Sequence, residues 1–432
     1  GVSLEILPRL SGEPLPDYDE LWHKLYFWYD KATAHYRLKA GMALRTDSVI
    51  GWAQEEAQAR VWHEWLVNPV VVRPQMEYLN DTQALLPLMP KAASPHSHYE
   101  AFMDAAYDVW QNKIAVRHEY GFASFGDTYS DAEMFWSNNE YDGTFVQHME
   151  FLRGGDARWA LLGQRTASHL MDIDTCNYSR EADQIGAQYM HIPGHAGGFL
   201  PPYFRSKMAG SNFIPSHSWV EGLVSYYLLT GDEAAADVLG KTGPHYARHL
   251  RFYRFKNARE CGWHLIHLCG LARWDNDPRW LNAASIIVST VLSKQEPGGG
   301  WEHSLSEAHC HHLPPHCRGE AGFMVGVLLA GLRRYYYLTG DQAVAEAIVG
   351  GARWLVRKIY LPDLGLFRYT SCPLCRQPGT MGLQLVEGLA TAYSLSSEPG
   401  IAAALHCALS QIGRDEEIHI EEVPRYGRSI NM

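Results

Sequence analysis

The sequence predicts an all-α fold, an (α/α)6-type toroid of helical hairpins, with long loops at one end and minor β-structure at the N-terminus and in the loops. Three observations carry this prediction. Aromatic-rich helical segments recur, and each meets a Gly/Asp/Asn turn from which a new helix begins at once: HMEFLRGGD ending at Asp156, SHSWVEGLVSYYLLTGD at Asp232 and EAGFMVGVLLAGLRRYYYLTGD at Asp341. Two looser copies, ECGWHLIHLCGLARW before Asp275-Asn276-Asp277 and QLVEGLATAYSL before Ser396 to Gly400, bring the hairpins to five. Glycine supplies the permissive backbone that ends one helix, and aspartate can cap the next. The spacing also drifts, whereas solenoid repeats keep short, near-constant periods. Finally, the long loops fall before the inner helices, which suits loops gathered at one end of a central cavity.

Taken in order, residues 1–53 form a lead-in that opens with GVSLEILPRLSGEPLP, a weakly alternating stretch with three Pro. Asp17 to Leu38 suits either helix or a strand and turn. Residues 54–412 are the toroid. Gln54 to Leu66 and His98 to Val116 read as helices that would supply the missing sixth hairpin, and Asn68 to Ser94, rich in Pro, as a surface excursion. The first clear hairpin runs from the polar knot at Trp136 to Asp142 through Phe145, Met149 and Leu152 to Gly154-Gly155, then back along Leu161 to Asp174. The others follow at Ser216 to Leu250, Glu260 to Lys294, up to Ile359, and up to Ile412. Two long polar loops, Cys176 to Ser216 and Glu296 to Glu320, precede inner helices; loops this long in a compact domain are usually functional. Residues 413–432 are a charged tail.

At 432 residues and 46% hydrophobic, the chain can bury one large core. No apolar run reaches membrane-spanning length, so a soluble chain is expected. The net charge of -11, with only 37 Lys+Arg and no basic block, argues against a nucleic-acid surface. The 14 Trp, 24 Tyr and 22 His suit sugar faces and groove walls, although most would serve core packing.

Four of the eight Cys cluster: Cys310 and Cys317 bracket HHLPPH, and Cys372 and Cys375 form a CxxC in a Pro-containing loop. They suit a structural zinc site or two disulfides. Cys176, Cys261, Cys269 and Cys407 fall in helical patterns as small apolar residues.

In a ring of hairpins, the first turn of each inner helix faces the cavity. That places Asn138, Asn139, Glu140, Tyr141 and Asp142 beside Ser216, His217, Trp219 and Glu221, with His264, Arg318, Glu320 and Glu387 from later hairpins. The Cys176 to Ser216 loop, with His191, His195, Tyr203 and Arg205, would cover the mouth. Caps and inter-helix ties are the structural alternative for each residue singly, but their recurrence at one end of successive helices points to a polar pocket.

The motifs GDTY, WSNNEYD, RGGD, HLMDID, HAGG and above all SHSWVEGLVSYYLLTGD resemble the C-terminal α/α toroid of the exo-rhamnogalacturonan lyase and YetA-like proteins, over roughly Phe102 to Ser394. This resemblance implies β-elimination on an acidic polysaccharide or oligosaccharide, with no required cofactor. It also implies β-sandwich modules ahead of the toroid, here expected either on a separate or removed segment or missing from a toroid-only relative.

A lyase must neutralise the uronate carboxylate, remove the C5 proton and protonate the leaving oxygen. Arg205, Lys207, Asn138 and Asn139 suit the first task. His191, His195, Tyr203, His217 and Tyr141 suit the other two, with His195 or His217 favoured as base and Tyr203 as acid. A glycoside hydrolase would instead pair Glu140 or Asp142 with Glu221. A non-catalytic carbohydrate-binding or scaffold toroid would keep only the aromatic lining, with Trp136 and Trp219 as contacts.

Overall fold

In the computed structural model, the residues described are 40–49, 51–52, 55–117, 139–188, 214–248, 250, 253–375 and 380–411, together with strands at 29–30, 35–36, 128–129 and 136–137. The fold is an all-α toroid of helical hairpins. Five hairpins are described: α4 Gly143–Gly154 with α5 Ala157–His169, α6 Glu221–Thr230 with α7 Glu233–Tyr246, α8 Ala258–Asp275 with α9 Pro278–Lys294, α10 Gly322–Thr339 with α11 Gln342–Lys358, and α12 Val386–Ser396 with α13 Pro399–Leu409. Ahead of them lie α1 Glu56–Val67, α2 Met76–Thr82 and α3 Ser97–Arg117.

The repeated turns have one physical basis. Each first helix ends on a left-handed residue: Gly155, Gly231, Asn276, Gly340 or Ser397, with φ between 55° and 79°. The next residue caps the returning helix. Asp156, Asp232, Asp277 and Asp341 each accept the N–H two residues on, at 2.9 to 3.0 Å, whereas Glu398 in the fifth turn makes no side-chain cap bond.

Burial separates the two rings. The helix α8 is buried almost continuously from Ala258 to Ala272, while its partner α9 buries only Trp280, Ala283, Ala284, Ile287, Val288 and Val291, a single stripe at helical spacing. The same contrast separates α10 from α11. The inner helices run parallel: Asp142 before α4 meets Gly222 of α6, Ala258 of α8 meets Glu320 before α10, and Gly326 of α10 lies against Gln384 before α12. Close approach of α8 and α10 needs glycine, because a Cβ on Gly262 would lie 2.5 Å from the Val327 carbonyl oxygen, and one on Gly331 2.5 Å from that of Gly262.

Inside this ring a fully buried guanidinium joins three helices. Arg334 of α10 donates from Nε to Glu221 of α6 at 2.7 Å and from Nη1 to Glu387 of α12, while Arg333 reaches Glu387 at 2.9 Å. Burial pushes the Arg334 pKa down, but the two carboxylates outweigh it and hold the guanidinium firmly charged.

The N-terminal part departs from expectation at two places. Of the two helices expected to complete a sixth hairpin, α3 packs into the core through Tyr99, Met103, Ala106 and Trp110, with Tyr99 donating to Glu150 at 2.8 Å. The other, α1, buries no residue: Val61, Trp62, Trp65 and Leu66 share one face at helical spacing, yet none of them is buried. The excursion from Asn68 to Ser94 is more ordered than its Pro content suggests. It contains α2, it buries Met76, Leu79, Leu85 and Leu88, and Arg73 satisfies the Leu152 and Arg153 carbonyls at the end of α4, at 2.7 and 3.0 Å. Asp17 to Leu38 is described only at Tyr29–Asp30 (β1) and His35–Tyr36 (β2), which pair antiparallel. Three more two-residue pairs follow: β3 Thr128–Tyr129 with β4 Trp136–Ser137, β5 His303–Ser304 with β6 Arg318–Gly319, and β7 Tyr360–Leu361 with β8 Leu366–Phe367.

Replacing Arg334 by Met removes the guanidinium that Glu221 and Glu387 share, leaving Arg333 on Glu387, and is expected to cost about 3–5 kcal/mol of stability at neutral pH, read from urea unfolding. A loss below about 1 kcal/mol would show that the network is not what joins the inner helices.

Candidate functional site

The rim at the N-terminal ends of the inner helices gathers the reactive groups. The turn before α4 is strongly bent, with Asn139, Tyr141 and Asp142 all at positive φ, 57°, 63° and 61°. Side-chain contacts help to hold it. Asn139 donates to Thr144 at 2.7 Å, Asp142 accepts from the Phe145 N–H at 3.3 Å, and Asp142 also accepts from the Gly222 N–H at 3.0 Å. Tyr141 is buried against Trp219 and Trp263, with centroids 6.2 and 6.1 Å apart. Among the described residues of this turn, Glu140 is the one that is not buried.

Among its contacts within the described residues are Arg259 and His217. Arg259 in the first turn of α8 lies 3.3 Å away, and the His217 Nδ1 atom 3.9 Å away. Arg259 also reaches the Ser216 carbonyl at 3.4 Å and lies over the Phe323 ring. All three side chains keep partial exposure, at 18% for Glu140, 17% for Arg259 and 14% for His217. Beside them Glu260 accepts from the backbone N–H and hydroxyl of Ser216. On the neighbouring rim, Glu320 accepts from the Ala321 N–H at 2.8 Å and faces His303 at 3.4 Å. The Glu320 carboxylate holds the half-exposed His303 imidazole above the ordinary histidine range.

Among the expected residues, Glu140 and His217 come together here, with Asn139, Tyr141 and Asp142 as the scaffold beneath them. Others are drawn inside. Trp219 is fully buried and exchanges backbone hydrogen bonds with the Gln188 side chain. His264 donates from Nε2 to the Tyr246 carbonyl at 2.6 Å. Glu221 belongs to the Arg334 network, because α6 begins deeper in the ring, level with Gly270 of α8. Arg318 stands on the outer surface, 64% exposed and paired with Glu296 at 2.6 Å. Asn138, His191, His195, Tyr203, Arg205 and Lys207 lie outside the described residues, and for Trp136 only the backbone, paired with Tyr129, is described.

Arg259, Glu260 and His303 were not among the expected residues. The signal for the first two was present: Asn257 caps α8 by accepting the Glu260 N–H at 2.9 Å, which puts Arg259-Glu260 in the first turn of an inner helix. Of the clustered cysteines, Cys310, Cys317 and Cys372 converge together with His312, while Cys375 stays in the apolar packing behind them.

No family model and no curated protein matches the chain. Solved structures do. The unsaturated glucuronyl hydrolase of Streptococcus agalactiae aligns with a TM-score of 0.50 at 11% identity, covering 83% of this chain and 96% of that one. A double mutant of the same enzyme aligns with the same TM-score and coverage at 10% identity. A polysaccharide lyase aligns at 0.49 and 11% identity, over 72% of this chain and 83% of that one. At such identities the fold is what is shared. It is the α/α toroid, and the narrower likeness to the exo-rhamnogalacturonan lyase and YetA-like proteins has no family match behind it. No helix of the described residues is long and apolar enough to cross a membrane.

Two buried histidines give the fold a pH signature. Burial pushes His148 down to about 3 and His264 down to about 4, from an ordinary value of 6.5. Because the folded values are depressed, this contribution is fully present above about 6.5, where neither state is protonated, and falls away as pH drops through the folded values while the unfolded chain takes up protons. Stability is expected to fall between pH 6.5 and 4, with a slope of up to about 1.4 kcal/mol per pH unit from each histidine. His148→Gln should flatten the urea-midpoint profile over this window; an unchanged profile would remove His148 as a source.

Proposed function

We propose that the protein is a carbohydrate-active enzyme that acts on acidic oligosaccharides or polysaccharides, by β-elimination at a uronate. The observation that supports this reading is the partly exposed group of Arg259, Glu140 and His217 on one rim. A guanidinium matches a carboxylate in charge and fork geometry, so Arg259 is the group to bind the uronate and offset the charge that builds up on C5 deprotonation. His217 is the base, oriented by Glu140. It takes the C5 proton, the C–H electron pair forms the C4–C5 double bond, and the C4–O bond breaks toward the leaving sugar. A protonated group supplies the proton to that oxygen, a role we assign to Tyr203.

Hydrolysis is the second reading. It is favoured by the density of carboxylates on the rim, Glu140, Glu260 and Glu320, which offers the acid and base pair that such chemistry requires. It is also the reaction named for the glucuronyl hydrolases that share this fold.

The deciding assay incubates the protein with a panel of uronate-containing glycans, following unsaturated-uronate absorbance and new reducing ends together. Elimination raises both signals. New reducing ends without absorbance would overturn elimination and support hydrolysis, and the absence of both with retained binding would overturn the enzyme reading. For an eliminase, His217→Ala should lower kcat by about 100-fold or more, and Arg259→Ala should raise KM for the acidic glycan. Glu140→Gln should shift the acidic limb of the pH profile to lower pH, since His217, the base, loses its anionic neighbour.

A further inference from the structure

We propose that Cys310, His312, Cys317 and Cys372 form a structural zinc site that staples two rim loops together. The ligand atoms of these four residues all lie within 4.8 Å of one another. The individual separations are informative. The Cys310 Sγ atom is 3.5 Å from the His312 Nδ1 atom, 3.3 Å from the Cys317 Sγ atom and 3.8 Å from the Cys372 Sγ atom, and Cys372 Sγ is 3.4 Å from His312 Nδ1. A tetrahedral ion with Zn–S of about 2.3 Å and Zn–N of about 2.0 Å has edges of about 3.8 Å between sulfurs and about 3.5 Å between sulfur and nitrogen. The four side chains thus already stand near the corners of such a tetrahedron. A disulfide needs sulfurs about 2.05 Å apart, so no pair here is bonded, and all of these cysteines are free thiols.

The ligand chemistry and the surroundings agree. Three thiolates and one imidazole make a soft, closed set with no position left for water, the pattern of a structural rather than a catalytic zinc. The Cys317 N–H lies 3.4 Å from the Cys310 sulfur and donates to it, the kind of contact that stabilises a bound thiolate. Leu305 and Cys375 pack behind the sulfurs, with Tyr369 against them, and shield one side. Binding displaces up to three thiol protons, forms three Zn–S bonds and one Zn–N bond, and involves no change of oxidation state.

The position gives the ion its task. Three ligands come from the loop between β5 and β6, and Cys372 from the segment after β8. Hydrogen bonds already tie this seam: the Thr370 hydroxyl donates to the His309 carbonyl at 2.9 Å, and the Ser371 N–H to the Glu320 carbonyl at 3.0 Å. Glu320 and His303 flank this seam, so the metal would hold the α10 side of the rim in place. Cys375, the second cysteine of the CxxC, is excluded from the ligand set, and His312 takes its place.

The full chain, produced in zinc-supplemented medium and purified under reducing conditions, is analysed for metal by mass spectrometry. Wild type and Cys375→Ser should each carry about one zinc per chain, and Cys372→Ser and His312→Ala less than about a tenth of that. Because those two variants could misfold, the wild type is also titrated with an organomercurial, which should release its zinc into a colorimetric chelator, and reconstituted with Co(II), which should show thiolate-to-metal charge-transfer bands. A wild type that holds neither zinc nor cobalt, or whose Cys310 and Cys317 are isolated as a disulfide-linked peptide, overturns the site. Loss of zinc in Cys375→Ser with retention in His312→Ala overturns the ligand assignment.

Discussion

Arg334 is the residue on which the ring turns. A guanidinium buried without partners would be costly, so its place in the interior requires Glu221 from one side and Glu387 from the other. That demand brings the start of α6 and the start of α12 against the last turns of α10. With Gly262 and Gly331 allowing backbones to touch, it sets the depth of each inner helix relative to its neighbours. The stagger has a consequence for the rim: α6 begins deep, so the chain ahead of it, from Ser216 to Val220, must climb along α8, and that climb lifts His217 to the level of Arg259.

The rim that results is electrostatically consistent. Parallel inner helices point their N-terminal ends the same way, where unsatisfied N–H groups favour negative charge. Glu260 and Glu320 occupy that environment, and backbone N–H groups take up part of their charge. Glu140, Arg259 and His217 differ in that the carboxylate faces the guanidinium and the imidazole and all three side chains keep partial exposure.

The loops matter as much as the helices. The β5–β6 and β7–β8 segments are too short in strand to be stable by themselves. They are held by cross-ties at Thr370, Ser371 and Glu320, and they bring three cysteines and a histidine from up to 62 residues apart to one point. The rim is thus built from both ends, by buried charge below and by loop ties above.

Much of the architecture was legible in the sequence, because it depends on local rules. A left-handed residue followed by Asp marks a hairpin turn wherever it occurs, and continuous against striped apolarity separates inner from outer helices; four Asp caps and the α8 and α9 patterns follow these rules directly. The cysteine cluster was also visible, since sulfur ligands are few and distinctive. What the sequence could not determine was depth. Glu221 and His217 stand four residues apart in one motif, yet the tertiary structure buries the first beneath Arg334 and leaves the second at the mouth; Trp219 and His264 go inside for the same reason, and Arg318 goes out. Helical spacing states which face a residue takes, but the level at which parallel helices meet is set by long-range charge pairing and glycine contacts, and only the folded ring supplies those.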